Sequence, residues 1–438
     1  MATQNPVDDL ASPADRSPDA MPPDAQPPDS APADAPRPEA GSTEPGPPAG
    51  VAAEATSLVV CSLESWTEVR RRIRILVDEL VDLDPSLQVL FVAPSVDVLH
   101  QLRQGKFADI IRPRRGAQGS SRLVQVHPRI HVLRPRKWLP RVVGPFADRS
   151  LERQILDAVM ELGLPQPLLW INDASYAGLA LRTGWPTLYD ITDDWLLAPL
   201  APRQRQRLVD NERSLIEHSQ AVVVCSPDLA RTRGDTRPVE LIPNGVDLDL
   251  FRAVRPRPPD LPPAPVALYV GTLHSWRTDV ELLLDLARAR PDVQVVLVGP
   301  NSLPHDVTER LESVPTIHVL GARPYDQIPA FMQHADIVII PHLVNPFTES
   351  LDPIKAYECL AVGRPTVTTP VAGFRELGAP IVVADRGTFV SAASSALAQA
   401  DPPGGPTPPV DETIPTWHDR AEAMASVMVK VRNAGGSK

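Results

Sequence analysis

The sequence predicts an α/β protein in which two doubly wound parallel sheets face each other across a cleft. Three observations predict it. From Ser57 onward, short Val/Leu/Ile-rich runs alternate with amphipathic stretches; a Pro/Arg-rich segment at 252–265 interrupts the pattern; and the same alternation then begins again. Strands covered by helices on both faces read as near-continuous apolar runs, whereas half-exposed strands alternate apolar with polar residues. Each half therefore reads as a Rossmann-like domain.

The elements follow in order. SLVVCSL (57–63) reads as a strand, Trp66–Leu83 as a helix and QVLFVAP (88–94) as the next strand. PLLWIND (167–173), TLYDIT (187–192) and AVVVCS (221–226) read as further strands, with helical stretches at 148–162 and 202–219. VELIPNG (239–245) leads into the turn Asn244-Gly245-Val246-Asp247. The second series is VALYVGTL (266–273), a helix over 278–290, VQVVLVGP (293–300), TIHVLG (316–321), a helix over 325–334 and DIVIIPH (336–342). A helix over 351–363, PTVTTP (365–370), PIVVAD (380–385), a Pro-rich linker at 401–415 and a helix over Trp417–Asn433 complete it. The expected domains are 56–245 and 246–400, with 401–438 packing back on the first.

Composition bounds what surrounds these domains. Residues 1–55 hold 13 of the 52 prolines, ten acids and two arginines, a charge of −8 out of the chain's −11. With almost no large apolar side chains this segment cannot bury enough surface to fold, and a disordered tail is expected. Cys61, Cys225 and Cys359 are isolated and lack CxxC spacing, which fits a reducing compartment better than a disulfide framework or a zinc site. No signal peptide is visible and no apolar run approaches the roughly 20 residues of a membrane span. A cytoplasmic protein is expected.

One stretch inside the first domain departs from the pattern. Residues 106–141 carry ten Lys or Arg against Asp109 alone, a charge of +9 over 36 residues, interleaved with Phe107, Ile110, Ile111, Trp138 and Leu139. A long solvated loop is one reading. The functional readings are an anionic membrane surface at the inner face of the plasma membrane or a phosphorylated acceptor, with no nucleic acid expected, because no binding motif accompanies the charge.

The most informative stretch is Leu351–Pro365, LDPIKAYECLAVGRP. Asp352 suits a helix N-cap, Pro353 its first turn, and Gly363 its end. Lys355 and Glu358, three apart, share a face. A carboxylate can accept two hydrogen bonds from a vicinal diol such as a ribose, and an ammonium beside free helix N–H groups can meet a phosphate. An ordinary surface ion pair is the alternative. The cleft between the strand carboxyl ends of two such sheets is where nucleotide ligands bind. Neither domain carries GxGxxG or a Walker loop, and HExxH, GxSxG and Cys/His clusters are absent from the sequence.

PNGVD (243–247), YVGTL with Arg277 (269–277), VLVGP (296–300), ADIVIIPH (335–342) and DPIKAYECLAVGRPTV together resemble the GT-B glycosyltransferases, specifically family 4 retaining enzymes. YDITDDW (189–195) and an opening with Trp66 and Arg70–Arg72 are similar to the teichuronic-acid-type group. The resemblance covers about 57–433. It implies a retaining hexosyltransferase that takes a sugar from a UDP- or GDP-sugar donor to a cell-envelope glycan, polysaccharide or lipid-linked acceptor.

It also implies roles. Glu358 falls where the donor ribose is bonded and Arg277 where the donor diphosphate is contacted. Lys355 and the amides of Ser350 and Leu351 adjoin the phosphate; Gly271 keeps the turn open to the donor; 321–323 border the base. Arg277, Lys355 and Asp194 are the candidate catalytic residues. Trp66, Arg72, Asn172, Asp173 and Asp193 are the candidate acceptor residues, with a helix cap and turn as the alternative for Asp193 and Asp194. The leaving diphosphate itself can take the acceptor's proton, so no cofactor and no metal requirement are expected. Three departures stand out: Ser350 where a first glutamate is usual, with Glu349 one residue off register; Thr272 where an arginine usually pairs with the residue at 277; and Asn172-Asp173 where many members carry a histidine. A sugar-nucleotide epimerase on the same architecture and a catalytically silent partner subunit remain as alternatives.

Overall fold

The structure, a computed structural model, describes residues 56–67, 69–97, 122–137, 145–198, 200–263, 265–404 and 413–435. The expected tail at 1–55, and residues 106–121 and 138–141 of the basic stretch with Trp138 and Leu139, lie outside the described residues.

Among the described residues the chain forms two large sheets. The first has eight strands in the spatial order Glu240–Leu241, Ala221–Val224, Thr187–Ile191, Leu168–Ile171, Ser57–Cys61, Gln88–Val92, Ile130–Leu133 and Leu123–His127. All neighbours are parallel except the last pair, a hairpin. The second has six parallel strands in the order Ile317–Gly321, Gln294–Val298, Val266–Val270, Ile337–Ile340, Thr366–Thr368 and Ile381–Val383. In both, the strand order reverses beside the first strand of the unit, so each has a crevice at its strand carboxyl ends.

Apolar burial explains the layers. Val59, Leu90, Leu169 and Tyr189 of the first sheet pack with Leu151, Ile155 and Leu215 from helices on one face. Ala267, Val295 and Ile339 of the second sheet pack with Leu283, Leu286 and Phe389 on one face. The remaining faces belong to one continuous cluster, which runs from Leu58, Val60 and Trp170 through Ile242, Val246, Phe251 and Trp417 to Val266, Leu268 and Ile340. The Trp417–Gly435 helix lies against the Arg72–Leu83 helix of the first unit. The chain crosses to the second sheet near Val246 and returns at Thr416. There the Val246 N–H donates to Pro415 O (3.0 Å) and the Trp417 N–H to Val246 O (3.2 Å). At Gly245 a Cβ would stand 2.6 Å from the Thr416 carbonyl, so the close crossing requires glycine.

Three elements differ from the sequence expectation. The first helix begins at Arg72, six residues after Trp66, and Glu64 in the segment ahead of it accepts the amide hydrogens of Ile73 (3.3 Å) and Arg74 (3.4 Å). The helix of the Leu351–Pro365 stretch runs Ile354–Val362; Asp352 does not cap it, since its carboxylate is drawn to Asn244 and Tyr357. Within the basic stretch, 122–137 is not a loop but carries the Leu123–His127 and Ile130–Leu133 hairpin. No helix among the described residues is long and apolar enough to cross a membrane.

Trp417 is 1 % exposed and packs where both sheets meet. Trp417→Ala should lower stability by about 3–5 kcal/mol, read from urea unfolding of the full chain.

Candidate functional site

The strand carboxyl ends of the two sheets face each other and touch. Ser226, after the Ala221–Val224 strand, donates its hydroxyl to Ser350 O at 2.6 Å, both residues being buried. Trp195, after the Thr187–Ile191 strand, lies 5.6 Å from Phe347, centroid to centroid. Asn244 donates its backbone N–H to Asp352 Oδ2 (2.5 Å) and its side-chain amide to Asp352 O. Arg72, 3 % exposed, donates to Asn244 Oδ1 and to Pro243 O at 3.1 Å each, and its guanidinium stands 3.7 Å from the buried Asp190 carboxylate. Tyr357 closes the series by donating to Asp352 Oδ1 at 2.8 Å.

On the second sheet, the turn after Val270 is shaped by two glycines. Gly271 and Gly299 both have positive φ, and a Cβ on Gly299 would stand 2.1 Å from Gly271 O. The segment that follows is fixed to the 342–348 loop: Leu343 N–H donates to Arg277 O (2.8 Å) and Asn345 Nδ2 to Trp276 O (3.0 Å). His274 stacks on Trp276 at 5.3 Å, and Trp276 meets Phe347 edge-on at 4.7 Å. Arg277 is half-buried, and its Nε has no hydrogen-bond partner among the described residues.

Glu358 is 0 % exposed. Its Oε2 accepts from Lys355 Nζ at 2.7 Å, while Oε1 is buried without a partner among the described residues. An unmade hydrogen bond on a buried carboxylate is costly, and the buried Tyr325 hydroxyl beside Glu358 is its nearest candidate donor. Lys355 and Arg277 both act on the buried His342, which burial above all pushes well below the ordinary histidine range. His274 is pushed down to about 4 by burial, then by Arg277 and Arg71. Both rings are neutral near pH 7, so the positive charge here is carried by the arginines and the lysine alone.

The structure thus brings Gly271, Arg277, Lys355 and Glu358 together with the Ser350–Leu351 segment at the facing ends. The Ser350 amide is already used, donating to Phe347 O at 3.1 Å, and its hydroxyl donates to the same carbonyl at 2.8 Å. Glu349 pairs with Arg375 through one oxygen and keeps Oε1 buried and unpartnered. Asp193 sits under the charge of Arg277, and burial raises its carboxyl. The other first-unit candidates are committed elsewhere. Both Asp194 oxygens accept from Arg233 (2.7 and 2.8 Å), and Asp194 also caps the turn carrying Trp195. Asn172 accepts from Leu63 N and donates to Asp190 O and Thr192; Asp173 caps the turn at Ala174. Trp66 packs against Phe91, with the Arg74 guanidinium over its ring.

Sequence reasoning singled out neither His274 nor His342 as a neighbour of this site, although His342 ends the ADIVIIPH stretch; no spacing links the two, because they reach it from different loops.

Residues 264–400 match the family described as glycosyl transferases group 1. This segment is a group 1 glycosyltransferase domain. Over 231 residues, 49 % of the chain, the sequence is 24 % identical to TuaH of Bacillus subtilis, named for teichuronic acid biosynthesis. It is 27 % identical over 204 residues, 42 % of the chain, to D-inositol 3-phosphate glycosyltransferase of Segniliparus rotundus; the alignments span 58 % and 43 % of these two relatives' lengths, about half of each. Sucrose-phosphate synthase from Thermosynechococcus elongatus superimposes with a TM-score of 0.65 at 16 % identity, over 86 % of this chain and all of that one. Anabaena HepE, solved in complex with UDP-glucose, gives 0.52 at 15 % identity over 87 % and 98 % of the two chains. The group 1 domain and the sheet before it are arranged as a GT-B fold.

Glu64 offers a test of the loop that begins this side of the cleft. Burial raises its carboxyl to about 7, against the lowering effect of Arg71 and of the Ile73 and Arg74 amides. A carboxyl raised in the folded state favours folding while protonated, and that contribution is lost as pH rises from about 4.5 toward 7. Glu64→Gln removes this titration, so the wild type should lose stability relative to the variant between pH 4.5 and pH 8, as read from chemical unfolding at both pH values.

Proposed function

We propose that the protein is a retaining glycosyltransferase that moves a hexosyl group from a UDP- or GDP-sugar to a cell-envelope glycan, polysaccharide or lipid-linked acceptor. The observation that carries this reading is Glu358: a fully buried carboxylate held by Lys355 at 2.7 Å within a group 1 glycosyltransferase domain. A carboxylate suits the hydroxyls of a ribose. UDP-glucose in HepE and the teichuronic acid name of TuaH support the donor class and the envelope acceptor.

In this reading Arg277 and Lys355 stabilise the charge that grows on the diphosphate as its bond to the sugar breaks. The acceptor oxygen attacks from the face the diphosphate leaves, and a diphosphate oxygen takes its proton. Contact of the two units over the donor keeps water from the reacting carbon. The basic stretch at 106–141 fits an anionic membrane surface, where a lipid-linked acceptor would be met.

The test is sugar transfer itself. Incubation with UDP- and GDP-sugars plus lipid-linked acceptors should release the nucleotide and give a product whose anomeric NMR signal matches the donor's configuration. A new sugar nucleotide formed from donor alone would point to an epimerase instead. Glu358→Gln keeps the shape but removes the charge, so nucleotide binding by calorimetry should weaken by about 1–3 kcal/mol. Unchanged affinity would rule out the ribose role.

A further inference from the structure

Three buried polar atoms lie together where the chain returns from the second sheet. Glu358 Oε1, Tyr325 Oη and Trp417 Nε1 are each shut off from solvent, and none forms a hydrogen bond of ordinary length and angle among the described residues. Left apart, each would cost free energy comparable to a lost hydrogen bond. They are not apart: the Tyr325 hydroxyl has both of the others as hydrogen-bonding neighbours. Chemistry allows one order only. An indole N–H can only donate, an ionised carboxylate can only accept, and the phenol between them can do both. Burial first, then the Glu358 charge, pushes the Tyr325 hydroxyl well above the ordinary tyrosine range, so near pH 7 it keeps the proton that such a bond needs.

Each of the three is fixed by its own surroundings. Tyr325 opens the turn ahead of the Ile328–Gln333 helix and meets Phe251 edge-on at 5.7 Å, while Gln333 of that helix donates to Phe251 O at 2.9 Å. Trp417 is the first residue of the return helix; its N–H donates to Val246 O at 3.2 Å, and the Asp419 carboxylate accepts the Thr416 N–H (2.9 Å) and hydroxyl (2.7 Å) beside it. Phe251, Tyr325 and Trp417 share one buried cluster with Ala356 and Cys359, which flank Glu358 in its helix. Lys355 holds Glu358 Oε2 at 2.7 Å. A carboxylate has about four acceptor positions, so contacts from Lys355 and Tyr325 leave about two for a ligand.

We infer that Tyr325 is the positioning residue of the Glu358 carboxylate, donating to Oε1 while accepting from Trp417 Nε1, so that the first residue of the return helix helps to set the group that meets the nucleoside. The inference rests on the nucleotide-sugar reading above. It adds a link between the crossing that rejoins the two units and the nucleoside half of the donor.

Tyr325→Phe removes only the hydroxyl, and Trp417→Phe removes the indole N–H. Calorimetry on the full chain with UDP, GDP and inorganic pyrophosphate tests the inference, using wild type, both variants, Glu358→Ala and the Tyr325→Phe/Glu358→Ala double variant. The nucleoside diphosphate that binds should weaken on the order of tenfold in Tyr325→Phe and less in Trp417→Phe, with pyrophosphate unchanged. In the Glu358→Ala background Tyr325→Phe should add no further loss, because residues that act through one contact are not additive. Urea unfolding of the ligand-free chain should show the same coupling, with Tyr325→Phe lowering stability in the wild type and not in the Glu358→Ala background. Nucleotide losses that persist in full in that background, or equal losses for pyrophosphate, would make Tyr325 a support of the fold and overturn the inference. Tyr325→Phe that binds the nucleotide like the wild type, while Glu358→Ala does not, would also overturn it and leave the proposed function standing. A wild type that binds neither nucleoside diphosphate overturns both.

Discussion

The buried contact among Arg72, Asp190, Asn244 and Asp352 is the constraint on which the rest of this structure depends. Arg72 and Asp190 sit within the first unit, Asn244 at the crossing and Asp352 at the start of the helix that carries Lys355 and Glu358. An ion pair taken from water repays its desolvation only if hydrogen bonds satisfy both partners. Here Trp170 donates to Asp190 Oδ2 at 3.2 Å, and Pro243 and Asn244 accept from Arg72, while Arg72 Nη2 and Asp190 Oδ1 face each other at 3.7 Å without a hydrogen bond among the described residues, so the pair is only partly satisfied. Burial raises the Asp190 carboxyl, with Arg72 and Trp170 acting against the rise. The charged pair is thus held at a cost that the surrounding core must offset.

The same contact sets the geometry of the cleft. Asp352 leaves the N-cap position it would fill in an isolated helix and binds across the interface instead, so the helix starts at Ile354 with no side-chain cap. A missing cap costs about 1 kcal/mol, while the lost alternative, a buried Asn244 amide without a partner, costs about 1–3 kcal/mol. Tertiary pairing outweighs the local preference. The consequence is that the face bearing Lys355 and Glu358 is oriented by the first unit.

The likeness to known proteins is uneven along the chain. The second sheet carries the group 1 glycosyltransferase match, whereas the solved structures, all far below one-quarter identity here, share the arrangement of both sheets. The contacts between the units join residues from the quoted motifs, such as Asn244 with Asp352, to others outside them, such as Trp195 with Phe347. Ser350 is buried and its carbonyl accepts the Ser226 hydroxyl across the interface, so the position serves the junction.

Much of the fold was legible because it follows from local pattern. Val/Leu/Ile runs become fully covered parallel strands, and the second run of alternation becomes the second sheet. The spacing of Lys355 and Glu358 likewise places them on one helical face, and their 2.7 Å contact needs nothing beyond that helix. The hairpin at 123–133 was obscured by the basic residues on either side of it and by Gln125, His127, Arg129 and His131, which interrupt its apolar run. The partners of the first-unit candidates were illegible for a different reason. Arg72 meets Asn244 across 172 positions and Asn244 meets Asp352 across 108, distances over which no local periodicity operates. Sequence alone therefore determined the two sheets, their order of elements and the helix bearing the buried carboxylate. Only the tertiary structure decided which charges are spent on holding the units together and which remain unpaired in the cleft, because burial and pairing depend on neighbours that folding brings together.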